Sequence, residues 1–132
     1  MSSKIFKSVV AELIYVNQCY GKELLSQDVG LRLFNVFINK ISESFPDLNS
    51  IEGKLILVFF RNDKNILSIE KQKEAIKITL NAKYGSLKDS EALFRNVSKV
   101  GHWGSGDYQV RLTDTDKFEY VLELVNQLFT TS

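Results

Sequence analysis

Apolar residues recur at helical spacing in the first third of the chain and at alternating spacing in the middle, and the change of period divides the sequence. Between Lys4 and about Cys19, Ile5, Val9, Leu13 and Val16 fall on one helical face, which predicts an amphipathic helix that Gly21 ends. A second helix is expected from Asp28, an N-cap residue type, with Leu31, Phe34, Val36, Phe37, Ile38 and Ile41 forming a broad apolar stripe that stops at Phe45 and Pro46. Residues 46–53, PDLNSIEG, are rich in turn formers.

The next segments read as strands. KLILVFFR is apolar on both faces and so central in its sheet, a hairpin turn is expected at Asn62–Asn65, and ILSIEKQ follows. In AIKITLN, Ile76, Ile78 and Leu80 alternate with Lys77 and Thr79, which predicts one buried and one wetted face. DSEALFRNV carries Asp89 or Ser90 as the cap of a short helix, and DYQVRLTD alternates Tyr108, Val110 and Leu112 with Gln109 and Arg111 as a fourth strand. Asp116 followed by Glu119 has the spacing of a capping box, ahead of the stripe Phe118, Val121, Leu122, Val125, Leu128 and Phe129. The expectation is an α+β domain: about four strands, largely antiparallel, helices over one face, an N-terminal helical pair and a C-terminal amphipathic helix.

Composition narrows this. The 132 residues suit one domain, with 44% hydrophobic and 25% charged residues and a single proline. Cys19 has no internal partner and reads as a buried structural thiol. Glu12 interrupts the apolar start and no cleavage site follows, so neither a secretion signal nor a membrane span is expected and the protein reads as cytoplasmic.

Charge is uneven: residues 54–111 hold eleven Lys and Arg against six Asp and Glu, leaving six against ten elsewhere. A sheet covered by helices on one side would present Lys77, Arg111, Gln109 and Thr79 on the other, where a cationic, hydrogen-bonding surface can meet phosphate groups. The competing reading is a solvated strand surface.

Catalytic patterns are sparse. Asp47 and Glu52-Gly53-Lys54 superficially match a nuclease signature, yet the interval cannot hold two strands and their turn. One histidine and one cysteine exclude the common zinc sets, and Gly101, Gly104 and Gly106 precede no helix. GHWGSGDYQ, residues 101–109, is the densest cluster: His102 could serve Ser105 as a base, with Asp107 orienting it. The favoured reading is structural, with glycines turning the chain, Trp103 plugging the sheet edge, and His102 and Asp107 bonding loop backbone; ligand contact lies between the two.

RNVSKVGHWGSGDYQVRL, together with KLILVFFRNDKNILSI and KEAIKITLNA, resembles a domain family of unknown function described as "predicted transport protein". Arg95, Val97, Gly101, His102, Trp103, Gly104, Gly106 and Asp107 carry the resemblance, which covers roughly residues 30–130 and leaves the first 25 or so as an extra helix. In longer relatives the domain resembles a C-terminal module joined to a restriction-like nuclease, which implies an accessory role in nucleic-acid processing or genome defence. The expectation is thus a non-catalytic binding module without metal or cofactor, contacting DNA or RNA weakly and without sequence preference. The runner-up is a protein-interaction or dimerisation module using the N-terminal helix, and the third reading is a hydrolase using His102.

Overall fold

The computed structural model describes residues 28–101 and 105–130, so the helix expected over residues 4–19, Gly21 and Cys19 lie outside the described residues. Asp28 caps the first described helix, α1 (Val29–Ser44), as its residue type predicts: Oδ1 accepts from Leu31 N–H at 2.8 Å. Its other carboxylate oxygen lies 3.5 Å from Lys71 Nζ, which ties the helix start to the sheet.

The strands are β1 (Asn49–Glu52), β2 (Ile56–Arg61), β3 (Lys64–Lys71), β4 (Ile76–Leu80), β5 (Arg95–Asn96) and β6 (Tyr108–Leu112), followed by helix α2 (Phe118–Thr130). They form one sheet in the order β1-β2-β3-β4-β6-β5, and every pairing is antiparallel. Register and period together set the faces. Leu57, Phe59, Leu67, Ile69, Ile76, Ile78, Leu80, Tyr108, Val110 and Leu112 share one side and join Leu33, Phe37 and Ile41 of α1 and Phe118, Val121 and Val125 of α2 in a single core. Phe37 and Phe118 meet edge to face at 5.0 Å where the helices cross.

The α+β class holds, and four details differ from the sequence expectation. The sheet has six strands, not four, because β1 occupies the stretch read as turn and β5 lies in the stretch read as a short helix. Asn49 and Ser50 have local turn preferences, but pairing with the apolar β2 overrides them. No helix forms after Asp89: its carboxylate accepts from Leu93 N–H at 3.0 Å and Phe94 N–H at 2.7 Å, holding a turn in which Ala92 has φ of 50°. At the other end, α2 starts at Phe118, after Asp114 has accepted from Asp116 N–H at 2.9 Å, while Glu119 reaches Lys40 of α1 at 2.8 Å instead of closing a capping box. The β2–β3 hairpin is tighter than expected, with Arg61 already paired to Lys64 and only Asn62 and Asp63, at φ of 50° and 67°, left in the turn.

Gly30 fixes how closely α1 approaches the sheet. Its N–H donates to Lys73 O at 2.9 Å, and a Cβ there would lie 1.6 Å from the carbonyl oxygen of Gln72. Gly30→Ala is expected to destabilise by about 1–3 kcal/mol, the usual cost of overpacking, read as a melting point several degrees lower. An unchanged melt would show that α1 can shift off the β3–β4 turn at no cost.

Candidate functional site

On the sheet face turned away from the helices, register lines polar side chains into two rows. The first runs Arg95, Gln109, Thr79, Ser68, Val58, Ile51, each directly opposite the next on the neighbouring strand. The second runs Arg111, Lys77, Glu70, Ile56. Residues of opposed pairs have Cα atoms only about 5 Å apart, so Lys77 and Arg111 place two positive charges side by side on adjacent strands.

A hydrogen-bonded chain holds this arrangement. Arg111 Nε donates to Gln72 Oε1 at 2.8 Å, and Gln72 Nε2 donates to Glu70 Oε2 at 3.2 Å. Gln72 thereby couples the guanidinium to the one carboxylate of the row without a direct ion pair. Among the described residues, Arg95, Lys77 and Arg111 form no salt bridge. Arg95 and Arg111 are exposed and Lys77 is half-buried.

The first row differs from the sequence expectation. Thr79 and Gln109 face away from the helices as expected, but they are 3% and 7% exposed and are not wetted. Gln109 Nε2 donates to Thr79 Oγ1 at 3.3 Å. Cationic contact therefore rests on Lys77, Arg111 and Arg95. Arg95 reaches this face because β5 pairs with β6, a pairing of two residues and too short for any periodicity to reveal. The alternation Ser68, Glu70, Gln72, running from β3 to the residue just after it, is the signal that could have found the coupling chain.

Of the GHWGSGDYQ cluster, His102, Trp103 and Gly104 lie outside the described residues. Among the described members, Asp107 and Tyr108 latch backbone and Gly106 packs against it. Gly106 has φ of 116°, and a Cβ on it would lie 2.0 Å from Leu80 O, so only glycine passes this close to β4. Asp107 donates its N–H to Ala82 O at 3.0 Å and its carbonyl accepts from Val97 N–H at 2.8 Å. Its Oδ2 accepts from Tyr84 N–H at 3.0 Å. The Tyr108 hydroxyl accepts from Gly85 N–H at 2.8 Å and Leu87 N–H at 3.1 Å. Gly101 is exposed, with no atom near the position of a Cβ.

A second knot fastens the same excursion to α2. The Tyr120 hydroxyl donates to Asp89 Oδ1 and accepts from Glu91 N–H at 3.0 Å, while Lys117 pairs with Glu91 at 2.7 Å. Partial burial pushes the Asp89 carboxyl up, but the bonds from Tyr120 and from Phe94 and Leu93 N–H together outweigh it and hold it below its ordinary value. Burial and the bond to Asp89 raise the Tyr120 phenol. Among the described residues, no group of three or more His, Cys, Asp or Glu could hold a metal ion, and no helix is long and apolar enough to cross a membrane.

Two outcomes test this geometry. Gly106→Ala is expected to lower the melting point by several degrees whereas Gly101→Ala leaves it within about a degree; equal effects would mean that the close approach to β4 is unimportant. Because folding depresses the Asp89 pKa, its contribution is full above the unfolded value of about 3.9 and is lost as pH falls through the folded value. Asp89→Asn should therefore destabilise at neutral pH and differ less from wild type in melts taken progressively below about pH 4, the ordinary carboxylate range.

Comparison with known proteins finds a similarity to an uncharacterised protein. A Haemophilus influenzae protein described as "Uncharacterized protein" is 36% identical over 99 residues, covering 69% of this chain and 32% of that protein. The chain thus spans about a third of the length of the curated relative it matches. No family model matches the sequence, and no solved structure matches it.

Proposed function

We propose that this chain is a non-catalytic binding module that contacts the phosphate groups of DNA or RNA through the sheet face bearing Arg95, Arg111 and Lys77. The observation that carries the reading is the direct opposition of Lys77 and Arg111 on β4 and β6. Like charges in that position repel, and a bound phosphate relieves the repulsion while gaining charge-assisted hydrogen bonds. Arg95, one row away on the outer strand, extends the positive surface along a diagonal. Base-specific readout is not expected, because the accessible polar groups of the rows are mostly cations, the amide of Gln109 and the hydroxyl of Thr79 are buried, and the described residues of the rows include no aromatic platform for stacking. The resemblance to a module of restriction-like nuclease proteins supports an accessory role in nucleic-acid processing or genome defence, in the cytoplasm. Asp107 supports the non-catalytic reading over a His102 hydrolase, since its carboxylate already serves Tyr84 N–H.

The test is retention of single- and double-stranded DNA and RNA. Binding should be measurable at about 50 mM salt and fall by roughly tenfold or more by about 200 mM, because each phosphate contact releases counterions. Lys77→Glu with Arg111→Glu should abolish it, while the charge-matched pair Lys54→Glu with Lys88→Glu, away from the rows, should weaken it far less. Absence of retention of every nucleic acid at low salt would refute the reading.

A further inference from the structure

Among the described residues, the outer edge of β1 pairs with no other strand, and its hydrogen-bonding pattern fits a second copy of itself. Two bonds fix which groups point outward. Gly53 N–H donates to Ile56 O at 2.7 Å, so Gly53 and Ile56 form a hydrogen-bonded pair, and antiparallel alternation then makes Ile51 and Val58 the next such pair. Ser50 opposite Phe59 and Glu52 opposite Leu57 are therefore non-hydrogen-bonded pairs. Lys71 N–H donating to Leu55 O at 2.9 Å gives the same phase from the other side, since it turns the backbone groups of Leu57 toward β3. The N–H and C=O of Ser50 and Glu52 consequently face away from the sheet.

The edge strand is short, four residues, but part of the usual protection is missing. The strand carries no lysine, proline or bulge, its one charge is Glu52, and Ile51 in its middle is 64% exposed. Of the axes at Ser50, Ile51 and Glu52, one gives a self-complementary register. Antiparallel partners lie on the same face, so a two-fold axis must pass through a residue and not between residues. An axis at Glu52 sets that carboxylate against its own copy. One at Ser50 pairs Glu52 with Leu48, whose N–H already donates to Phe45 O at 3.2 Å. An axis at Ile51 pairs Ser50 of each copy with Glu52 of the other, uses all the outward N–H and C=O groups, opposes no like charges, and stacks Ile51 on Ile51.

We propose that the chain self-associates through β1 about a two-fold axis at Ile51, joining two six-stranded sheets into one continuous sheet. The helices of both copies then lie on the same side and the cationic rows on the other. A four-residue edge makes a small interface, so the dimer is a weak one with a dissociation constant on the order of 0.1 mM.

Sedimentation equilibrium of the full chain tests this. The weight-average mass should rise from monomer toward dimer between about 10 µM and about 1 mM, and Ile51→Lys, at an exposed position that leaves the core intact, should weaken association by about tenfold or more. In a Cys19→Ser background, Ile51→Cys should form an inter-copy disulfide on mild oxidation, because opposed residues of a non-hydrogen-bonded pair have Cα atoms about 4.5 Å apart. Asn49→Cys should not, since at a rise of about 3.4 Å per residue the two copies of position 49 would be about 14 Å apart. A monomeric mass at every concentration overturns the proposal, whatever other chain the edge binds, and so does cross-linking at position 49 equal to that at position 51.

Discussion

The pairing of β6 with β4 is the constraint on which the rest of the structure depends. β4 ends at Leu80 and β6 begins at Tyr108, so residues 81–107 must leave the sheet, supply β5 and return along the open edge of β4. Most of that excursion is irregular, and its backbone groups have no ladder to satisfy them. Side chains and scattered backbone bonds do it instead. Tyr108 itself, 2% exposed, turns its hydroxyl to Gly85 and Leu87, so the residue that begins the returning strand also secures the loop it closes. Asp107 secures Tyr84 from one end, and Asp89 with Tyr120 anchors the middle to α2.

The same pairing makes the cationic face. Neither Lys77 nor Arg111 is unusual alone; their opposition exists only because Ile76–Leu80 aligns with Tyr108–Leu112 in this register. Gln72 tempers the result by linking Arg111 to Glu70, which keeps the guanidinium oriented while leaving the row with more positive than negative charge. The core on the other side makes slippage costly, because moving β6 by one residue would turn Tyr108, Val110 and Leu112 out of it.

The periodic elements were legible from sequence because their period is imposed by burial. The helical stripe after Asp28 and the alternation in AIKITLN and DYQVRL required no knowledge of partners, and α1, β4 and β6 lie where those patterns fall. What escaped was set by pairing: β1 and β5 are edge strands of four and two residues, held by their neighbours against or without local preference. The Asp89 error was of another kind. A capping residue type was recognised correctly, but its carboxylate stabilises a turn and not a helix, and sequence spacing alone does not separate the two. At the site, Lys77 and Arg111 were readable as one-faced residues, whereas the burial of Thr79 and Gln109 depends on what surrounds them.

The strand order also separates local from long-range assembly. β1 through β4 form a meander of neighbours joined by short turns, and β5 with β6 forms a second local unit. Only the seam between β4 and β6 needs a long loop to close, and loop closure of that kind is the slow, entropically costly part of folding. Lys77 and Arg111 sit on opposite sides of that seam. A chain that has built both halves but not joined them would lack the paired cations, so an anion of the kind proposed above, bound across the seam, would act as a clasp that slows the halves from parting.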